Sequence, residues 1–200
     1  LEEIKIFNKW STSKIEILDP GLKAYINLEP KVIVKSCGRL ASTQFYKSKM
    51  NIVERLMNKI MVSGHRSKKH VLTSGRNVGK SIKAYKIVKE AFEKIEKITN
   101  KNPIEVLVRA IENSALREET AAYQVGGIIV RKAVVTSPQR RVDVALRNIT
   151  QAAYRKCFGK KENIVDALVD EIIGAYNNDP NKSEAVKERA RIEKEAEGAR

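Results

Sequence analysis

The chain is short of the residues that most chemistry needs. Of its 200 residues only Cys37 and Cys157 are cysteines, far apart and outside any CxxC spacing. Neither a disulfide framework nor a thiolate metal or redox site is expected, and both read as reduced thiols. His65 and His70 are the only histidines and stand among lysines, without the nearby carboxylate that would orient a general base. No apolar run approaches the roughly 18 residues of a membrane span. The opening Leu1-Glu2-Glu3-Ile4 has neither the basic nor the apolar region of a secretory signal, so the expected place is the cytoplasm and no membrane partner is expected. Aromatics make 6% of the chain, and Phe45-Tyr46, Tyr85 and Tyr123 do not form the paired signature of a single-strand stacking platform.

Negative charge is the other shortage. Asp and Glu total 24 against 39 Lys and Arg, a formal charge of +15, while 42% apolar residues still suffice for one core. A large polyanion is the natural partner of such a chain. The charge is also segregated: residues 1–30 sum to −1, 31–102 to +14, 103–116 to −1, 117–161 to +7 and 162–200 to −4. Two basic blocks around a neutral one imply a binding face rather than general solubility.

Residues 1–48 show no clear period and read as an extension draped on the domain, with Asp19-Pro20-Gly21 as a turn. From Lys49 apolar pairs recur at three- and four-residue steps up to Gly64, predicting a first helix. Residues 65–79 are basic and glycine-punctuated, an exposed loop. A second helix is expected over 80–99 and a third from Asn102-Pro103, a cap residue followed by proline at the first helical position. The third carries so little polar surface that it should be the central one. Around Gly126-Gly127 the period drops to two, predicting a hairpin with strands over 120–125 and 128–135. Neither face of its second arm is wholly polar, so one face should pack and the other should grip a partner. Ser137-Pro138 repeats the cap-then-proline start for a fourth helix running to Cys157 before Gly159. A fifth is expected over 162–176, and a charge-alternating sixth over 183–196, exposed or docked on a partner. The fold class is mainly α: a bundle of about six helices with a protruding β-hairpin arm between the third and fourth. The divisions are an extension over 1–48, a helical core over 49–180 with the hairpin at 118–136, and a charged helix over 181–200.

Gly75-Arg-Asn-Val-Gly79-Lys80-Ser81 ends like the phosphate loop of an NTPase but has three residues between its glycines where the loop needs four. No strand precedes it and no acidic strand end follows, so neither nucleotide hydrolysis nor any small-molecule substrate is expected. A helix start with Lys80 beside it still suits one polynucleotide phosphate. Glu118-Glu119 and Asp170-Glu171 are sequence neighbours on different faces, unlike an acid–base pair. No catalytic, metal or cofactor site is expected. What remains is cationic: Arg39, Lys49, Lys68, Lys69, Arg76, Lys80, Lys83, Arg117, Arg131, Lys132, Arg140, Arg141, Arg147 and Arg155 gather at loops, a hairpin arm and helix starts. Arginine's planar fork suits phosphate. Arg140 and Arg141 sit in the first turn of the fourth helix, where the helix dipole disfavours them and a phosphate would offset the conflict. Structured RNA or a duplex read by shape is the favoured partner. Rival readings are a DNA-binding protein, the NTPase and a basic protein-binding module.

The order of these features is recognisable. Asn51-Ile-Val-Glu-Arg-Leu56, Gly75-Arg-Asn-Val-Gly79-Lys80, Asn102-Pro103-Ile-Glu-Val-Leu-Val-Arg-Ala-Ile-Glu-Asn113, Arg117-Glu-Glu119, Gly126-Gly127 and Ser137-Pro-Gln-Arg-Arg-Val-Asp-Val-Ala-Leu-Arg-Asn148 resemble, collinearly over nearly the whole chain, the small-subunit ribosomal protein seven family. Lys9-Trp10-Ser11-Thr12 is similar to the start of its archaeal and eukaryotic branch, which includes the eukaryotic 40S ribosomal protein five. Residues 65–74 depart from that pattern as an insertion. The resemblance implies a non-enzymatic protein bound to the 3′ major (head) domain of small-subunit rRNA, nucleating head assembly. It places the basic N-terminal segment, residues 76–83 and residues 140–147 on rRNA. It also implies that Tyr123, Gln124, Val125, Gly126, Gly127 and Ile128 approach exit-site tRNA and the mRNA path, with ribosomal proteins nine and eleven as protein partners.

Overall fold

The computed structural model describes residues 4–40, 42–62 and 75–200. Among them the elements are α1 (Ile52–Ile60), α2 (Ser81–Thr99), α3 (Pro103–Ser114), β1 (Glu118–Val125), β2 (Ile128–Val135), α4 (Pro138–Cys157), α5 (Ile164–Tyr176) and α6 (Glu184–Glu197). This is the expected helical bundle with a hairpin between the third and fourth helices. Asn51 caps α1 by accepting from the Val53 N–H at 2.9 Å, and Asn102 caps α3 by accepting from Ile104 at 3.1 Å, ahead of Pro103. The same two side chains also tie down the N-terminal segment, through the Glu29 carbonyl at 2.9 Å and the Ser11 carbonyl at 2.7 Å. Ser137 stands at the cap position of α4 but makes no side-chain cap bond, so proline's fixed φ is what starts that helix.

The apolar stripes meet around α3 and α5. α3 is buried along most of its length as its composition requires, and α5 shares the centre with it, packing on α2, α3, α4 and α6. The segment before α1 packs on this body and contributes to its core: Ile6, Phe7, Trp10, Leu22, Ile26 and Val34 are all buried. Phe7 meets Tyr85 edge-on at 4.8 Å between ring centroids, and Trp10 meets Phe92 at 5.8 Å. Full burial of one such ring stabilises by about 1.5–3 kcal/mol, so the segment helps hold the fold together.

β1 and β2 pair antiparallel with Val125 opposite Ile128. Gly126 and Gly127 have φ of 55° and 88°, the left-handed pair that a two-residue hairpin turn demands and that side chains resist. The expectation that one face of the second arm packs is not met: at the base Ala133 and Val134, on opposite faces, are half-buried alike, and Val135 is exposed. From Ala122 to Lys132 every residue is exposed, Ile128 and Ile129 alike although they point to opposite faces. Among the described residues no other element covers the distal half of the arm.

α6 is docked on its own body, not left exposed. It lies on β1, α4, α3 and α5, and small residues, Ala185 and Ala196 with Val186, bury against them. Its anchor is the fully buried Glu171, which accepts from Ser183 Oγ at 2.7 Å and the Ala185 N–H at 2.9 Å and pairs with Lys156 at 2.8 Å. The chain end then meets the arm, where the Ala199 carbonyl accepts from the Ala133 N–H at 3.3 Å and Arg200 pairs with Glu118.

Candidate nucleic-acid interface

Helix α4 runs from the base of the arm to the far side of the body, and the cations along it have different company. At its start Arg140 grips Glu119 with both prongs, at 2.6 and 2.7 Å. That hydrogen-bonded carboxylate holds the guanidinium pKa above its ordinary value. Arg141 donates to Asp19 at 2.6 Å and to the Leu116 carbonyl at 2.8 Å, linking the N-terminal segment to the end of α3. Burial works against ionising Asp19, but its bonds to Arg141 and Gly21 hold its carboxyl below the usual range. Arg117 lines the same hollow with Arg189, Glu112 and Glu193. Around the arm's base, then, carboxylates match cations.

One turn further along the balance changes. Among the described residues Asp143 is the single carboxylate paired with Lys47, Arg55 and Lys59, at 2.7, 3.3 and 3.8 Å. Arg147, one helical turn on, is exposed and adds its charge to the group. Arg55 is almost fully buried and also donates to the Tyr25 carbonyl at 2.8 Å, which makes it the structural member. Burial pushes the Lys59 ammonium pKa below its usual value, and the like charges of Lys47, Arg147 and Arg55 push the same way against Asp143. Burial also opposes ionisation of Asp143, yet the Lys47 hydrogen bond and the charges of Arg55 and Lys59 keep its carboxyl below the ordinary range. One anion among four cations leaves an excess of positive charge on the outer side.

That excess continues. Lys59, Arg147, Gln151 and Tyr154 line one hollow. Tyr154 also lines the next, a groove between α2 and the α4–α5 turn bordered by Arg76, Lys83, Lys86 and Lys160 against Glu90 and Glu162. The two hollows adjoin at that ring, making one electropositive track across the body. Among the described residues Arg147, Lys86 and Lys160 have no ion-pair partner; Lys83 and Lys80 reach only the carbonyls of Arg76 and Gly75, each at 3.4 Å.

The remaining expected residues fall outside this track. Arg39 and Lys49 are exposed on the N-terminal segment, with the Lys49 ammonium 4.2 Å from the Tyr46 ring centre. Arg131 and Lys132 are exposed on the arm beside Tyr123, Gln124, Val125, Gly126, Gly127 and Ile128. Arg155 pairs with Glu184 at 2.5 Å. Lys68 and Lys69 lie outside the described residues. Sequence reasoning passed over Lys47, Lys59, Lys86, Lys160 and Phe158. The signal was there in the Arg55/Lys59 and Tyr154/Phe158 four-residue steps, which put each pair on one helix face.

Comparison with known proteins adds what geometry cannot. The family described as Ribosomal protein S7p/S5e matches residues 22–200. The chain belongs to the ribosomal protein S7p/S5e family. It is similar to the small ribosomal subunit protein uS7 of Archaeoglobus fulgidus, 50% identical over 199 residues that span 100% of this chain and 96% of the relative. The protein of the same name from Nanoarchaeum equitans is 48% identical over 99% of this chain and 100% of the relative, and that of Methanothrix thermoacetophila 46% over 98% and 100%. As an S7p/S5e member the chain is a structural ribosomal protein, not an enzyme.

Proposed function

We propose that this chain is a structural component of the small ribosomal subunit in the cytoplasm, and that it binds and helps fold the 3′ major (head) domain of the rRNA. The observation that carries the reading is the track from Lys47, Lys59 and Arg147 to Lys83, Lys86 and Lys160, where cations outnumber carboxylates. Its members come from the segment before α1, from α1, α2 and α4, and from the turn after α4, so only the folded body assembles it, and a folded RNA of matching shape is the polyanion it suits. By drawing separated phosphates onto one rigid body, the protein would nucleate head assembly. The arm is proposed to approach exit-site tRNA and the mRNA path, a reading supported by a distal half that is exposed throughout and carries Arg131 and Lys132 beside exposed Tyr123, Val125 and Ile128. Ribosomal proteins nine and eleven are the proposed protein neighbours, and the exposed Val32, Ile33 and Ile82 support an apolar contact of that kind.

The test is binding of a head-domain rRNA fragment across a salt series. Six or more phosphate contacts predict a loss on the order of a thousandfold between low and moderate salt, with the fragment preferred over duplex DNA at matched salt. A flat salt response, or equal affinity for the DNA, contradicts the proposal. Shortening the arm at Gly126-Gly127 is expected to spare RNA binding and cosedimentation with small subunits while disturbing exit-site tRNA.

A further inference from the structure

Phe158 ends α4 and is 39% exposed, and among the described residues its one ring contact is Tyr154 four residues earlier, at 5.4 Å between centroids and tilted by 36°. The next residue, Gly159, has a φ of 69°, a left-handed step that turns the chain sharply and brings Lys160 round to the same groove. The pair of rings thus lines a groove whose rim is cationic, with Arg76, Lys83, Lys86 and Lys160 against Glu90 and Glu162. The groove encloses about 610 Å3, within the ~300–1,000 Å3 that holds a small ligand.

An aromatic face inside a cationic rim matches one kind of guest: a flat, apolar group joined to anions. Bases within a duplex are already stacked on one another and are not free to stack on a protein ring, so a duplex would use the rim alone; a nucleotide outside a helix can use both. We propose that the groove at the end of α4 holds one unpaired RNA nucleotide, with its base stacked on Phe158 and its flanking phosphates on Lys83, Lys86 and Lys160. The inference rests on the RNA-binding reading above and sharpens it, since the body would then recognise a bulged or loop base as well as backbone shape. Tyr154 backs the Phe158 ring, and stacking requires no particular base.

The full-length chain is titrated with a short single-stranded RNA carrying one 2-aminopurine, whose fluorescence is quenched on stacking, and in parallel with a duplex RNA of the same length. The wild-type chain is expected to quench the probe. Phe158→Ala is expected to lose most of that quench and about tenfold in single-strand affinity, while Phe158→Tyr retains both and duplex affinity is unchanged in either variant. Circular dichroism reports helix content alongside. A Phe158→Ala chain that quenches as well as wild type, or that loses duplex affinity by the same factor, overturns the stacking site while leaving the RNA-binding reading intact. A wild-type chain that binds neither RNA in a salt-dependent way overturns both.

Discussion

The start and the middle of α4 carry basic residues that look alike in sequence and stand in opposite electrostatic settings, while Arg155 and Lys156 at its end are paired again, with Glu184 and Glu171. At the start, around the base of the arm, Arg140, Arg141 and Arg200 each have a carboxylate, Glu119, Asp19 and Glu118. Beside the middle of the helix Lys47, Arg55, Lys59 and Arg147 share Asp143 as their one carboxylate among the described residues, and the groove beyond is lined by more lysines than acids. Paired charges cancel within a few ångströms, and their field is screened over about a Debye length of solvent. Unequal ones leave a potential that reaches a polyanion before contact. A count of cations therefore does not locate a binding face; the count of cations left over does.

That contrast can be broken or sharpened by substitution. The largest effect is expected from Lys59→Glu with Arg147→Glu, which reverses the excess beside Asp143 and should lower rRNA-fragment affinity on the order of a hundredfold at low salt, measured by filter binding. Asp143→Ala is expected to cost about 2 kcal/mol of stability in urea unfolding, because buried Arg55 keeps only the Tyr25 carbonyl. The same site makes a pH prediction. Asp143 has a lowered pKa in the folded chain, so its contribution is fully present above the unfolded value of about 3.9 and fades as the pH falls through the lower folded value. The stability gap between wild type and Asp143→Asn should accordingly close on the acid side. Arg141→Ala is expected to cost about 1.5 kcal/mol, since it strands Asp19 and the Leu116 carbonyl. Arg140→Ala should cost under about 1 kcal/mol, as an exposed pair does, and shift RNA affinity less than about threefold.

Much of the architecture was legible because local signals and the fold agree. Asn102-Pro103 and Ser137-Pro138 start helices where expected, Gly126-Gly127 turns the arm, and α4 ends at Cys157. The N-terminal segment escaped because its core residues follow no period: Phe7 and Asn8 have φ of 55° and 59°, and such turns deliver Ile6, Phe7 and Trp10 to the interior one by one. α6 escaped because it docks through alanines, which a stripe of large residues does not reveal. At the interface, residue types were readable and partners were not. Arg140 meets Glu119 across 21 positions and Arg141 meets Asp19 across 122, separations that only the finished fold closes. Lys59 and Lys86 look like ordinary solvated lysines until α1, α2 and α4 bring them to adjoining hollows.

The most direct measurement is the slope of log affinity against log salt for the head-domain rRNA fragment, compared between wild type, Lys59→Gln with Arg147→Gln, and Arg140→Gln with Arg155→Gln. Each phosphate contact removed should flatten the slope by about 1. The first double variant is therefore expected to lose about 2 while the second keeps the wild-type slope. Equal slopes in all three, or a loss confined to the Arg140 and Arg155 variant, would contradict the assignment of RNA to the unbalanced face.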